Sequence, residues 1–151
     1  MNAIKAGDVV TLSPRVRRVT ANNPGAMTGA GTNTYLIGRE EIAILDPGPA
    51  DSSHIRAILE AVGSARVRWI VATHTHPDHS PAAAILAEQV NAEMIGCVLQ
   101  DDGHQDRSFL VDNNVRHGDL LVANGFTLEA IATPGHVSNH FCYLLREEGL
   151  V

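Results

Sequence analysis

Three histidines and one aspartate lie within six residues, in the order His74-x-His76-x-Asp78-His79. The whole chain holds eight histidines among 151 residues, so its composition does not explain this concentration in one short window. Imidazole nitrogens and carboxylate oxygens suit Zn²⁺, and Fe and Mn also accept them with less selectivity. The spacing therefore predicts a metal site, and the alternative is a polar surface turn with incidental histidines.

The segments around this cluster can direct its side chains towards one ion. Val67–Ala72 is an apolar, β-branched run that predicts a buried strand directly before the cluster. Residues two apart in an extended segment point the same way, so His74 and His76 can converge. Pro77 cannot continue a strand ladder, and the turn expected there lets the aspartate and the last histidine approach from another side. Binding sites of open α/β sheets lie at the carboxyl ends of strands, where this cluster falls.

The remaining segments predict alternating strands and helices, and hence a layered α/β fold. Asp51 is a candidate N-cap for a helix that ends at Gly63. Ser80-Pro81 is expected to supply the N-cap and first residue of the next helix, and Asn124-Gly125 predicts a hairpin turn. The predicted strands are Val9–Val19, Thr34–Ile37, Ile42–Leu45, Val67–Ala72, Ala92–Val98, Val111–Val115, Gly118–Val122, Phe126–Ala132 and Phe141–Leu145, and the second helix is Ala82–Val90.

Length and composition narrow the class of protein. The chain suits one domain over residues 1–151, with no linker or second domain, and its 44% hydrophobic and 19% charged residues are typical of a globular protein. It has no run of the roughly 18 apolar residues that a membrane span needs, and no signal-peptide pattern. The net charge of −6 does not favour a polyanion as partner, and two isolated cysteines do not make a disulfide framework. We therefore expect a cytoplasmic protein without a membrane partner.

Four segments, in the same chain order, resemble the metallo-β-lactamase-fold hydrolases. The first three are Thr32–Ile37, which looks like the family's early strand, Ile44–Gly48, which looks like its first acidic motif, and the cluster His74–His79, which looks like its H-x-H-x-D-H signature. The fourth is Thr133–His136, which looks like its third metal-ligand motif. Ser80-Pro81 and Val137–His140 depart from the commonest pattern and are similar to the branch of β-lactamase-like protein 2, whose studied animal member is an endoribonuclease.

The resemblance implies a four-layer αββα sandwich with two zinc ions at one edge, of which this α/β (α+β) chain would be the N-terminal half. His74, His76 and His136 would bind the first metal, and Asp78 and His79 the second. Asp78 is also expected to be required for catalysis. The family completes the second metal site with a bridging aspartate and a late histidine that have no counterpart in this sequence. We therefore expect a C-terminally truncated domain, with poor stability, a weak second metal site and at most trace activity.

Other polar residues carry weaker signals. The resemblance implies that Asp46 orients the ligand-bearing loop, and the alternative is a simple turn aspartate before Pro47. His140 matches the branch pattern, and a hydrogen-bonded structural role is as plausible as a role in the site. Three further histidines have no ligand spacing and are expected to be solvated: His54, His104 and His117.

The implied function is metal-dependent hydrolysis, in which a metal-bound hydroxide attacks an ester, thioester or phosphodiester. The sequence contains no G-x-S-x-G motif and no P-loop, so these patterns offer no protein nucleophile. The substrate would be a small ester or thioester or, by resemblance to the branch, RNA. The alternatives are a glyoxalase II-like thioesterase and a truncated, non-catalytic zinc-binding module.

Overall fold

The computed structural model describes residues 4–98 and 103–151. These residues form two β-sheets and two α-helices, in the order of the chain as follows. The strands are β1 (Val9–Thr11), β2 (Val16–Thr20), β3 (Asn33–Gly38), β4 (Glu41–Leu45), β5 (Arg66–Val71), β6 (Glu93–Gly96), β7 (Asn113–Asn114), β8 (Leu120–Ala123), β9 (Phe126–Ala132) and β10 (Phe141–Leu145), and the helices are α1 (Ser52–Val62) and α2 (Ala83–Val90).

The large sheet has the strand order β1-β2-β3-β4-β5-β6-β7, and the small sheet has the order β10-β9-β8. Strands β1 to β4 pair antiparallel, whereas β4 to β7 pair parallel to one another. The small sheet is antiparallel throughout. The carboxyl ends of β4, β5 and β6 therefore meet at one edge of the large sheet, which is where such sheets bind ligands.

One face of the large sheet packs against both helices. Ile44 of β4 and Ile70 of β5 are fully buried there, against Ile58 of α1 and Leu86 of α2. These strands are covered on both faces, which explains why they read as nearly continuous apolar runs. The Asp51 side chain caps α1 by accepting a hydrogen bond from the backbone N–H of the third helical residue.

The other face of the large sheet packs against the small sheet. Trp69 of β5 meets Phe126 of β9 edge to face, with ring centroids 6.3 Å apart. At Gly38, where φ is +101°, an added Cβ would lie 2.6 Å from the Phe126 ring, so this close approach requires glycine. The molecule thus has a helix layer and two sheet layers, as the αββα prediction requires. Leu120 and Val122 on the outer face of the small sheet are exposed.

Several local predictions are confirmed, and others are wrong. The β3–β4 and β8–β9 hairpins and the helix between Asp51 and Gly63 form as predicted. Val9–Val19 is not one strand but the β1–β2 hairpin. Ser80 does not cap α2, which begins at Ala83, because its hydroxyl instead donates a hydrogen bond to Asp106 Oδ2 at 2.7 Å. The strands expected over Ala92–Val98 and Val111–Val115 shorten to β6 and β7.

Within the described residues, neither helix has the length and apolar character needed to cross a membrane.

Candidate metal centre

Three histidines converge at the carboxyl end of β5. One nitrogen each of His74, His76 and His136 lies within 4.8 Å of the other two. Two of these rings approach each other closely, with His136 Nε2 and His76 Nδ1 3.2 Å apart. Two nitrogens bound to one tetrahedral zinc ion are about 3.3 Å apart, because each zinc–nitrogen bond is about 2.0–2.1 Å long. The spacing of this pair therefore suits joint ligation of one ion.

The protonation of His74 follows from its neighbours. His74 Nδ1 lies 3.0 Å from the Thr73 hydroxyl, which in turn lies 2.9 Å from Asp46 Oδ2. A carboxylate can only accept, so the hydroxyl donates to Asp46 and accepts from the Nδ1–H of His74. The Nε2 atom of His74 therefore keeps its lone pair. This atom is buried and has no hydrogen-bond partner among the described residues.

The lone pair of His74 Nε2 accepts no hydrogen bond from the described residues, so it is available to bind a metal ion. Burial lowers the pKa of His74 to about 4, and the nearby His79 acts in the same direction. The ring is thus neutral at pH 7, the form in which imidazole binds metals. An acceptor buried without a partner costs about 1–3 kcal/mol, and a bound cation would remove this cost. The donor set and the unpartnered Nε2 therefore fit zinc.

Asp46 holds the ligand-bearing loop through both oxygens of its carboxylate. Its Oδ1 accepts the Thr73 amide at 2.7 Å, and its Oδ2 lies 2.9 Å from both the Thr73 hydroxyl and His79 Nδ1. The residue has a left-handed backbone with φ of +51°. Because both carboxylate oxygens bond to the loop, the geometry favours the orienting role of Asp46 over that of a simple turn aspartate.

Asp78 and His79 lie beside the three-histidine group. The His79 ring centroid is 4.1 Å from that of His74, and His79 Nε2 is 3.6 Å from Asp78 Oδ2. Burial alone would lower the pKa of His79, but the hydrogen bond and negative charge of Asp46 outweigh it, so the net shift is upwards. The structure thus brings both residues next to the first ligand set but not into it.

The other histidines divide into three kinds. His140 lies against the site, with its ring centroid 5.3 Å from that of His74, and its Nδ1 is 2.8 Å from Thr133 Oγ1. This contact favours the hydrogen-bonded structural role. His104 and His117 are exposed, as the sequence predicts. The prediction for His54 is wrong, because this side chain is only 2% exposed.

An open cavity of about 660 Å³ lies over the histidines. The β2–β3 loop forms one wall through Asn23, Met27 and Thr28, and Met27 is 88% exposed. Asn23 keeps the loop folded, because its Oδ1 accepts the Thr32 amide at 2.9 Å and its Nδ2 donates to the Thr32 hydroxyl. This loop therefore overhangs the candidate site rather than only connecting two strands.

Two anchors of the ligand-bearing loop escaped sequence reasoning. Asp106 donates its amide to the Thr75 carbonyl at 2.6 Å and accepts the Ser80 hydroxyl. The buried Asn139 donates to Thr75 Oγ1 at 3.2 Å and to the Cys97 carbonyl at 2.7 Å. Each anchor joins segments that are distant in the sequence, so no local pattern carries its signal.

Comparison with known families agrees with this geometry. The profile of the metallo-beta-lactamase superfamily matches residues 27–151. The chain belongs to the metallo-beta-lactamase superfamily, which confirms the resemblance drawn from its motifs. Its finer placement in the β-lactamase-like protein 2 branch stays a prediction.

The curated relatives include fungal proteins of greater length. The chain is 34% identical to the atrochrysone carboxyl ACP thioesterase of Passalora fulva, over 94% of the chain and 42% of that relative. It is 33% identical to the lactamase-like protein adaB of Aspergillus niger, over 97% of the chain and 45% of that relative. The chain thus spans less than half the length of these two relatives.

Solved structures share the fold. A metallo-beta-lactamase of Cronobacter sakazakii superposes with a TM-score of 0.74 at 22% identity, over 91% of this chain and 59% of that one. ETHE1 from Myxococcus xanthus superposes with a TM-score of 0.64 at 25% identity, over 86% of this chain and 53% of that one. The arrangement of layers is therefore that of the superfamily.

Proposed function

We propose that this chain carries the metal-binding part of a zinc-dependent thioester hydrolase. The observation that carries the proposal is the buried, unpartnered Nε2 of His74, on a ring that has one nitrogen within 4.8 Å of a nitrogen each of His76 and His136. Membership of the superfamily and the thioesterase named among the relatives support the same conclusion.

The roles of the side chains follow from their positions. His74, His76 and His136 hold the first ion, and Asp78 with His79 contributes to a second. Iron or manganese would suit the same nitrogen and oxygen donors. When bound by these residues, zinc would supply Lewis-acid chemistry, which would activate a water near neutral pH and polarise a substrate carbonyl. The protein contributes by presenting the His74 imidazole as a neutral ligand and by fixing the direction of the loop that follows β5 before an ion binds.

The cavity favours a thioester over RNA as substrate. The described residues that line it include no lysine or arginine, whereas binding of a nucleic acid depends on cationic contacts to phosphates. The net charge of −6 opposes a polyanion as well. The exposed Met27 at the wall offers an apolar contact for an acyl chain. Two relatives from different fungi carry the name of a carboxyl ACP thioesterase, which supports the same substrate class.

The test measures bound zinc and hydrolysis together, on the chain and on its His74→Ala variant. Substrates are an acyl N-acetylcysteamine thioester, the matching oxygen ester and bis(p-nitrophenyl) phosphate. We expect at most trace turnover by this chain, which depends on zinc, prefers the thioester and disappears in His74→Ala, while His117→Ala, which changes an exposed histidine elsewhere, retains it. Thioester turnover that survives both a chelator and His74→Ala would contradict the proposal. Bound zinc without any turnover would favour the non-catalytic zinc-binding module.

A further inference from the structure

His54 is the buried histidine that the metal site does not use. It is the third residue of α1 and is 2% exposed. Its ring lies against the turn that follows β4, since a Cβ added to Gly48 would be 3.1 Å from His54 Nε2 and 3.3 Å from Cδ2. His54 does not line the cavity over the candidate metal ligands. Its burial therefore needs a different explanation from ligation.

A hydrogen-bond chain connects His54 to the turn. His54 Nε2 is 2.9 Å from the Thr34 hydroxyl, and this hydroxyl is 2.7 Å from the Asp46 carbonyl oxygen. The carbonyl can only accept, so the hydroxyl donates to it and accepts from the Nε2–H of His54. Thr34 is completely buried, so both of its bonds form away from water. These two hydrogen bonds fix which of His54, Thr34 and Asp46 donates and which accepts at each step.

Asp46 connects the hydrogen bonds of His54 and Thr34 to the candidate metal centre. Its carbonyl is held by Thr34, its amide donates to the Val71 carbonyl at 2.8 Å, and its carboxylate holds Thr73 and His79. Its left-handed backbone is uncommon for a residue other than glycine and persists only where the surroundings hold it. The peptide carbonyl and the carboxylate are joined through one Cα atom, so a displacement of the Asp46 backbone carries both groups with it.

The turn also holds the ligand-bearing loop through its backbone. The Gly48 amide donates to the His79 carbonyl at 2.8 Å, and the Gly48 carbonyl accepts the Ala82 amide at 3.0 Å. His79 is therefore bound to this turn at both its side chain and its main chain. A shift of the turn changes the direction of His79 and, through Thr73, that of His74.

We propose that His54 and Thr34 are positioning residues for the metal centre, which act through Asp46 on the direction of His79 and His74. This inference rests on the proposed metal site. Neither residue touches the ion. They set the geometry of the turn on which two of the predicted ligand rings depend.

The test compares variants of the whole chain that differ in one hydroxyl. Thr34→Val removes the hydroxyl at nearly constant volume, and Thr34→Ser keeps it. Zinc affinity is measured by competition with a chromophoric chelator, and thermal unfolding identifies the folded samples. Loss of a direct outer hydrogen-bond partner of a ligand typically weakens metal binding about 10–100-fold. Thr34 acts one bond further out, through Asp46, so we expect a loss of up to about 10-fold for Thr34→Val, at the lower end of that range, and rescue by Thr34→Ser. Unchanged affinity in a folded Thr34→Val protein would overturn the inference.

A second readout does not require metal. Ring ¹⁵N chemical shifts report which nitrogen of His79 carries the proton in the metal-free chain. We expect the Nδ1–H form to dominate in the wild type and in Thr34→Ser, and to lose this dominance in Thr34→Val.

If the wild type binds no zinc, the proposed function fails, while the ¹⁵N shifts still decide whether Thr34 orients His79. If Thr34→Val does not fold, His54→Leu, which removes the donor, is compared in both readouts with His54→Gln, which keeps one. Equal behaviour of that pair would also overturn the inference.

Discussion

The two sheets present the two arms of the candidate metal centre in different ways. The first arm follows β5, a strand covered on both faces, and its His74 is 4% exposed. The second arm is the turn between β9 and β10 of the small sheet, and its His136 is exposed. The Phe141 amide donates to the Thr73 carbonyl at 2.9 Å and the Asn139 side chain donates to Thr75 Oγ1 at 3.2 Å, and both bonds join the two arms near the site.

Folding alone therefore fixes the side chains of the first arm, whereas we expect metal binding to fix the His136 ring of the second arm. The first arm has its directions set by Asp46, Thr73 and Asp106. Among the described residues, the His136 ring pairs with the His76 ring, which is itself a proposed ligand. Immobilising an exposed side chain costs conformational entropy. We therefore expect the first arm to dominate metal affinity and the second arm to modulate it.

The largest expected effect is the loss of zinc binding in His74→Ala. This variant removes the buried nitrogen of the ring around which the rings of His76, His79 and His136 are arranged. His136→Ala should weaken binding less, because water can replace an exposed ligand. Isothermal titration with zinc compares the two. Equal losses, or a larger loss for His136→Ala, would contradict the proposed difference between the arms.

The next effect concerns the contact that holds the small sheet in place. Phe126 is 1% exposed between the two sheets, so Phe126→Ala should destabilise the chain by about 3–5 kcal/mol. Val122 lies on the outer face of the same sheet and is 61% exposed. Val122→Ala should therefore change stability by no more than about 0.5 kcal/mol. Urea unfolding of both variants measures the contrast, and similar losses at the two positions would show that the small sheet is not anchored through its inner face.

A smaller effect is expected at Asp46. Asp46→Asn keeps the size of the side chain but replaces one acceptor oxygen by a donor, so it cannot accept the Thr73 amide at one position and also the Thr73 hydroxyl and the Nδ1–H of His79 at the other. Zinc affinity should fall about 10–100-fold with little change in fold, as for other outer partners of metal ligands. Asp119→Asn, at a turn far along the chain, is the matched control. Wild-type affinity in Asp46→Asn would return Asp46 to the role of a simple turn residue.

Sequence patterns were sufficient where the deciding contacts are local. The β3–β4 hairpin and the caps of α1 at Asp51 and Gly63 follow from residues within a few positions of each other. Sequence patterns were insufficient where a residue distant in the sequence binds a side chain that a local pattern assigns to another partner. Ser80 has the chemistry of an N-cap, but Asp106 takes its hydroxyl.

The candidate site divides in the same way. The spacing of His74, His76 and His136 could be assigned because the resemblance joins the two motifs that hold them, and the structure brings the three together. The burial of His54 could not be predicted, since it depends on Thr34, which is 20 positions earlier in the chain. Long-range hydrogen bonds of this kind leave no periodic signal in the sequence.

The smallest effect concerns a charged contact between the two sheets. Glu41 of β4 accepts the Asn124 amide of the small sheet at 2.8 Å and two bonds from Arg68 at 3.1 Å. The Asn124 bond, with the help of Arg68, lowers the pKa of Glu41 below its ordinary value, although burial opposes this shift. A carboxyl with a lowered pKa in the folded state stabilises the protein at neutral pH. That contribution is lost as the pH falls from the ordinary glutamate pKa through the lower folded value.

The wild type should therefore lose slightly more stability on acidification than Glu41→Gln, and the two should converge at the lowest pH. The exposed Glu88 of α2 provides the matched control, because Glu88→Gln leaves the contact between the sheets intact. Thermal unfolding of the three proteins from neutral pH to below the ordinary glutamate pKa measures the difference. If Glu41→Gln and the wild type show parallel curves over this range, the Glu41–Asn124 contact does not couple the two sheets. The connection between the two arms would then rest on apolar packing, the Phe141–Thr73 bond and the bond from Asn139 to Thr75.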